Sequence, residues 1–330
     1  MVIALGGNAL QKNGEVTAEA QKAVASQVGT LIAKLSDKYE IVIAHGNGPQ
    51  VGNILLHEEN ASTASAPAMP LETAVAMSQG QIGYWLAQAI DNALSSAGKR
   101  KKVISVVTQV VVDREDAAFR HPTKPIGEFY DARTAKRLER LHGWEMREDS
   151  GRGYRRVVPS PRPIDIVERR EIMSLVKSGS IVIAVGGGGI PVTRTKVRKT
   201  LKGVDAVIDK DLAAAKLAEL VKADIFVSLT AVPNAFLNFG TPSQIALGIL
   251  TPLEVIEHIK SGHFGVGSML PKIQAVTGFA SKGHTGIITS PDLLEEALKL
   301  RAGTIVTPPP EKTRQSRKVK SKARAQKKSN

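Results

Sequence analysis

Ile181-Val-Ile-Ala-Val185-Gly-Gly-Gly-Gly189-Ile-Pro191 runs through five aliphatic residues without a polar break and then stops in four glycines. A strand with one wet face alternates apolar and polar residues, whereas a strand covered on both faces does not. This run therefore predicts an inner strand of a sheet that carries helices on both sides. Working outward, the same signature recurs at Val2 to Leu5, Ile41 to Ala44, Val103 to Val107, Ile225 to Leu229, Gly286 to Thr289 and Thr304 to Val306. Helical stripes separate these runs. Thr17 to Lys38 aligns Val24, Val28, Leu31 and Leu35, and Glu72 to Ser96 aligns Ile82, Leu86, Ile90 and Leu94. Shorter helices are expected at Asp131 to Leu141, Asp165 to Lys177, Asp211 to Val221, Pro252 to Lys260, Leu270 to Phe279 and Pro291 to Leu300. Strand-then-helix repetition of this kind predicts an α/β fold with a mainly parallel sheet between helical layers.

The chain has 330 residues and a formal charge of +14, from 45 Lys+Arg against 31 Asp+Glu. Residues 311–330 hold nine of the basic side chains and one acid, 9 − 1 = +8, which leaves +6 for the first 310 residues. A polyanion partner would thus have to be met by the tail. It has no aromatic for base stacking, so nucleic-acid binding is the weaker expectation and a disordered, solvated extension the stronger. The absence of cysteine removes disulfide frameworks, thiolate metal sites and cysteine nucleophiles together. Met1 to Gly7 has no basic n-region and reaches glycine after four apolar residues, unlike a signal peptide. The uncharged stretch Ile225 to Leu253 is interrupted by Asn234, Asn238, Thr241 and Gln244, unlike a membrane span. The chain reads as a soluble, cytoplasmic protein with one domain over 1–310. A charged, Pro- and Gly-rich insertion near 113–160, without a buried-strand pattern, folds over the sheet as a flap or small subdomain.

Three of the strands end in glycine-rich turns: Gly6-Gly7-Asn8, Gly46-Asn47-Gly48-Pro49 and Gly186-Gly187-Gly188-Gly189. In a parallel sheet these ends share one edge, where ligands bind. Glycine lets backbone N–H groups approach a phosphate, and a helix starting just after adds its positive end. The chain lacks G-x-x-x-x-G-K-[ST], a well-placed G-x-G-x-x-G and G-x-S-x-G, so P-loop, dinucleotide and elbow-hydrolase chemistry find no support. The histidines form no metal-binding pair, and no metal held by protein side chains is expected.

Phosphoryl transfer needs fixed positive charge and alignment more than covalent chemistry. Lys210, in Asp209-Lys-Asp211, and Lys272, in Gly265-Val-Gly-Ser-Met-Leu-Pro271-Lys272, stand at expected helix starts, where the dipole opposes a cation unless an anion is near. Lys124 sits between Pro122 and Pro125 in the insertion. Asp211 would hold Lys210 and Lys272 apart and charged; the plainer role for it is a helix N-cap, and the two are compatible.

The strings Ala4-Leu-Gly-Gly-Asn-Ala-Leu10, His45-Gly-Asn-Gly-Pro-Gln-Val-Gly52, Pro122-Thr-Lys-Pro-Ile-Gly127, Ala184-Val-Gly-Gly-Gly-Gly-Ile-Pro-Val192 and Val207-Ile-Asp-Lys-Asp-Leu212 resemble the carbamate kinase family of the amino-acid-kinase fold. The resemblance runs over about residues 1–307. It implies a three-layer αβα sandwich with about eight strands, a protruding subdomain, a homodimer, and the reaction ATP + carbamate ⇌ ADP + carbamoyl phosphate with Mg²⁺ held mainly by the ATP phosphates. It also implies roles. Lys210 and Lys272 would bridge the phosphates, Asp211 would organise them, and Lys124 would reach from the flap to carbamate or carbamoyl phosphate. Gly6, Gly7, Asn8, Gly46, Asn47, Gly48, Gly187 and Gly188 would line the carbamate and phosphoryl end. Ala231, Val232, Phe239, Met269 and Pro271 would border the nucleotide. A relative that phosphorylates another small carboxylate or a phosphonate is the alternative, against which the Pro-Thr-Lys-Pro-Ile-Gly insertion speaks. Leu270 departs from the family pattern, standing where a second glycine is usual.

Overall fold

The computed structural model describes residues 1–6, 15, 17–149, 151–195, 197–265 and 268–308. Gly7, Asn8 and the basic tail 311–330 lie outside the described residues. Eight strands form the central sheet in the spatial order Ile249–Leu250, Thr304–Val306, Thr285–Thr289, Ile225–Leu229, Val2–Leu5, Val42–His45, Ile181–Ile183 and Val103–Ser105. Every neighbouring pair is parallel except Thr285–Thr289 with Thr304–Val306. Seven of the eight are the runs with little polar alternation. The eighth, Ile249–Leu250, is too short to carry a pattern.

The period-2 geometry of each strand divides its aliphatic side chains between two cores. Val2, Ala4, Val42 and Phe226 face the layer of helices Lys210–Leu220 and Met269–Ala280, represented by Leu217, Val276 and Phe279. Ile3, Leu5, Ile43 and Val227 face the layer of helices Ala18–Leu35 and Leu71–Ser96, with Ile32, Ile82 and Leu86. Burying one such side chain contributes about 1.5–3 kcal/mol relative to exposure. The two faces together explain why these strands contain no polar alternation.

Some boundaries differ from expectation, for local reasons. The strand expected over Ile181 to Val185 ends at Ile183, because Val185 adopts the left-handed region at φ 56°. The helix expected over Asp165 to Lys177 begins only at Arg169. Pro163–Ile166 instead pairs antiparallel with Gln109–Val112, in a second sheet completed by Ile190–Arg194 and Leu201–Gly203. Pro291 to Leu300 folds as a 3₁₀ turn and the single helical turn Leu294–Ala297. The segment 113–160 contains strands after all: Lys124–Tyr130, Glu145–Glu148 and Tyr154–Val158 form an antiparallel sheet beside helix Ala132–His142. Its strands are rich in Arg, Glu and Tyr and largely solvated, so no aliphatic run announces them.

This small sheet is fastened to helix Gly48–Asn60. Gly52 approaches Gly127 so closely that a Cβ on Gly52 would lie 3.1 Å from the Gly127 Cα. Arg156 lies 4.5 Å above the Trp144 ring and 3.6 Å from Glu59 at the far end of that helix. Lys124 is thereby carried on the same body as the turn at Asn47 and Gly48.

Candidate active site

Because Ile225–Leu229, Val2–Leu5, Val42–His45 and Ile181–Ile183 are parallel neighbours, the residues that follow them meet at one edge of the sheet. There they border a cavity of about 730 Å³. Gly6, Gly46, Asn47, Gly48 and Gly187 line it, as do Thr230, Ala231, Val232, Phe236, Phe239, His263 and Met269. Lys124, Asp209, Lys210, Asp211 and Lys272 lie on the wall as well.

Lys210 opens helix Lys210–Leu220, whose N-cap is Asp209. The Asp209 Oδ1 accepts from the backbone N–H groups of Asp211 at 3.0 Å and Leu212 at 3.3 Å. Capping thus belongs to Asp209, and Asp211 is released from that duty. Asp211 Oδ2 accepts from Lys210 Nζ at 2.8 Å and from Lys272 Nζ at 3.0 Å, while Oδ1 accepts from the Ser228 hydroxyl at 2.7 Å. The Asp211 side chain is 5% exposed and the two lysines 13% and 12%. Burial pushes the Asp211 carboxyl upward, yet the two ammonium groups and the Lys210 and Ser228 hydrogen bonds outweigh it and hold it below the ordinary carboxylate range. Burial pushes Lys210 down to about 8, with Asp211 pulling in the opposite sense. From the flap strand, Lys124 Nζ reaches Asp209 Oδ2 at 3.0 Å.

The helices that end at the cavity differ in how their first N–H groups are satisfied. Asn47 precedes Gly48–Asn60 and Ser268 precedes Met269–Ala280, and neither makes a side-chain cap bond. Those N-termini keep donors for an anion, whereas Asp209 already serves the third helix. The tetraglycine turn is set by Thr108, whose hydroxyl accepts from the Val185 N–H at 3.1 Å. Gln79 grips the Thr108 backbone at both its N–H (2.7 Å) and its carbonyl (3.1 Å). A left-handed β-branched residue is strained and persists only where its surroundings over-determine it. Burial pushes the neighbouring His45 down to about 4, so its ring is neutral near pH 7 and adds no charge beneath the glycine turns.

The Amino acid kinase family model matches residues 1–290. A carbamate kinase of Pyrococcus furiosus is 49% identical over 315 residues, which covers 93% of this chain and 99% of the relative. One of Oenococcus oeni is 46% identical over 310 residues, covering 93% and 98%. The solved structure of the carbamate kinase from Giardia lamblia bound to AMP-PNP superposes with a TM-score of 0.86 at 41% identity, covering 93% of this chain and 98% of that one.

The chain belongs to the carbamate kinase family.

Two of the residues nominated from the family motifs stay off the cavity wall. Gly188 turns toward the Ile208 carbonyl, which a Cβ there would strike. Pro271 is the third residue of helix Met269–Ala280, two residues past the lining residue Met269. Leu270, read in the sequence as a departure from the family pattern, is helical and packs against the apolar core beside Met269. Its side chain therefore demands no left-handed backbone. Ser228, Gln79 and Thr108 escape a reading by motif, and Asp209, though inside the string Val207-Ile-Asp-Lys-Asp-Leu212, receives no role from it. Only Asp209 carries a local signal, a carboxylate immediately before a helix start.

Proposed function

We propose that the chain transfers a phosphoryl group reversibly between ATP and carbamate, with Lys210, Lys272 and Lys124 supplying the positive charge. The observation that carries this reading is the convergence of Lys210 and Lys272 on a single oxygen of Asp211, at the edge where the glycine turns meet. In the forward direction a carbamate oxygen forms a bond to the γ-phosphorus as the bond to the β–γ bridging oxygen breaks, and the charge collects on ADP. Ammonium groups held in place beforehand stabilise that charge without reorganising. Asp211 is an organiser in this scheme. Both its oxygens are occupied by donors, and carbamate, already an anion, needs no base. Gly6, Gly46, Asn47, Gly48 and Gly187 take the small-acid end, while Ala231, Val232, Phe239 and Met269 take the nucleotide.

Mg²⁺ accompanies the nucleotide and neutralises phosphate charge when bound. Its ligands would be mainly phosphate oxygens and water, since the cavity carboxylates Asp209 and Asp211 are engaged by lysines and backbone N–H groups. One kinase domain over residues 1–310, with 113–160 as the flap that carries Lys124 and 311–330 as a tail apart from it, belongs to the same reading. So does a homodimer. The edge strand Val103–Ser105 lies beside helix Leu71–Ser96, which exposes Met77 and Tyr84, and this apolar margin suits a second copy. No helix among the described residues is long and apolar enough to cross a membrane; a cytoplasmic location belongs to the same proposal.

The deciding experiment incubates the full chain with carbamoyl phosphate and ADP and measures ATP. Formation of ATP is expected. A folded protein that makes none under saturating substrates and Mg²⁺ would sink the reading.

A further inference from the structure

The orientation of one amide in the cavity follows from counting donors. Ser78 is fully buried on helix Leu71–Ser96, and its hydroxyl donates to the Val75 carbonyl at 2.7 Å. A carbonyl can only accept, so the single Ser78 proton is committed there. The Ser78 oxygen also lies 2.8 Å from the Asn47 amide, and with its proton used it can only accept. The atom of Asn47 facing Ser78 is therefore the nitrogen Nδ2, and the carbonyl oxygen Oδ1 points away. Turning the amide over would set two acceptors against each other in a nearly dry place.

Two further contacts constrain this arrangement. The Asn47 amide lies against Gly187, where a Cβ would collide with it, and Gly187 sits at φ 66°. Asn47 lines the cavity with Gly46, Gly48 and Gly187, and its Oδ1 has no hydrogen-bond partner among the described residues. Nor is that oxygen sealed in. Among the described residues, Thr289 Oγ1 is the buried side-chain polar atom left without a partner, so Asn47 Oδ1 keeps accessible surface, on a residue that lines the cavity.

An acceptor fixed in the wall of an anion site is an odd choice, because carboxylate and phosphate oxygens repel it. In carbamate or carbamoyl phosphate the one group that can donate to it is the NH₂. We infer that Ser78 is a positioning residue: by locking the Asn47 amide it makes Asn47 Oδ1 the acceptor for the substrate nitrogen. The wall thereby discriminates against the near-isosteric acyl group that carries a methyl in place of NH₂. This rests on the carbamate kinase reading above and adds to it the specificity of the small-acid end. A site built to hydrogen-bond an N–H rejects the analogue that lacks it, because its own polar atom is then left unpaired.

The experiment compares carbamoyl phosphate with acetyl phosphate as phosphoryl donors to ADP, in the wild-type chain and in Ser78→Ala and Ser78→Thr. The wild type should favour carbamoyl phosphate in kcat/KM. Ser78→Ala frees the amide to turn its NH₂ inward, and the preference should fall about tenfold or more, with KM for ADP unchanged. Ser78→Thr keeps the hydroxyl and should keep the preference. If Ser78→Ala does not fold, Ser78→Cys, with its weakly accepting sulfur, carries the same ratio test. A wild type that takes both donors equally, or a Ser78→Ala enzyme that loses activity toward both in the same proportion, overturns the inference. Failure of the wild type to use carbamoyl phosphate at all would instead strike the functional reading, so the two failures are distinguishable.

Discussion

Lys124 and Asp209, from the flap and from the cap of helix Lys210–Leu220, form an ion pair of 3.0 Å across the cavity. The pair gives one carboxylate two tasks, since Oδ1 caps the helix and Oδ2 holds the flap lysine. An anionic substrate must compete with Oδ2 for Lys124. Asp209→Asn keeps a capping oxygen but removes the competing charge, and KM for carbamoyl phosphate is expected to fall a few-fold with little change in melting temperature. Asp209→Ala should in addition lose the cap, at about 1 kcal/mol. Steady-state kinetics and thermal melts on the two variants separate the tasks. A rise in KM for Asp209→Asn would show that Asp209 aims Lys124 at the substrate.

Two lysines share one oxygen of Asp211, and the consequences of removing each partner differ. Lys210→Ala or Lys272→Ala leaves Asp211 with the other lysine and Ser228, so the protein stays folded. Turnover should fall by about a hundredfold to a thousandfold, the range for losing one group that stabilises transition-state charge. Asp211→Asn leaves two ammonium groups crowded without an anion. It should be the most destabilising of the three, by about 3–5 kcal/mol, as for breaking a buried pair from one side. Denaturant unfolding alongside turnover numbers tests the ordering. Equal stability for all three would mean that the triad is better solvated than its burial indicates.

Much of this was legible in the chain because the central strands are buried on both faces. Ile181–Ile183 or Ile225–Leu229 needs no partner to be recognised, since the absence of polar alternation is itself the signal. The three lysines could be read for a similar reason: a cation at a helix start or between prolines is out of place without an anion. Strands such as Lys124–Tyr130 or Pro163–Ile166 left no such mark. They are short, one face is wet, and their pairing depends on partners dozens of residues away. Asp209 left one local mark, a carboxylate just before a helix start, whereas Ser228 and Ser78 left none, because their roles depend on which backbone or side-chain atoms end up opposite them. Asp211 was open to two interpretations in the sequence, cap or organiser, and the choice fell to a neighbour two residues earlier.

Activity should depend on pH through Lys210. Its ammonium form is the useful one, and burial has brought its pKa down to about 8 in the free protein. As pH rises through that value kcat/KM should decline. Bound phosphates favour the charged form, so the corresponding limb in kcat should lie at higher pH. Loss of the fold does not produce the same decline. Between about 8 and the ~10.4 of an unfolded lysine, the unfolded chain binds more protons than the folded one. The contribution of Lys210 to stability therefore increases with pH over that window. Rate profiles from pH 6 to 10, with melts at the same values, check both statements. Lys210→Arg keeps its charge throughout and should lose the basic limb even where its rate is low.

Gly52 offers a way to move Lys124 without touching the cavity. Its Cα hydrogens face the flap strand, and a Cβ would stand 3.1 Å from the Gly127 Cα, closer than ordinary van der Waals contact. Gly127 itself sits at φ 71° and has little freedom to retreat without carrying its strand along. Gly52→Ala should therefore lift the strand Lys124–Tyr130 off helix Gly48–Asn60. Lys124, three residues before Gly127, would withdraw from the cavity. KM for carbamoyl phosphate is expected to rise about tenfold while KM for ADP stays put, because the residues proposed for the nucleotide, Ala231, Val232, Phe239 and Met269, lie on elements other than the flap strand. Gly278→Ala is the matched control. That glycine lies in helix Met269–Ala280 with open space around its would-be Cβ, and alanine there should stabilise the protein by roughly 0.8–1 kcal/mol with no kinetic effect. If Gly52→Ala raised both Michaelis constants alike, the flap and the nucleotide end would be mechanically coupled, and Lys124 would not be the part that moved.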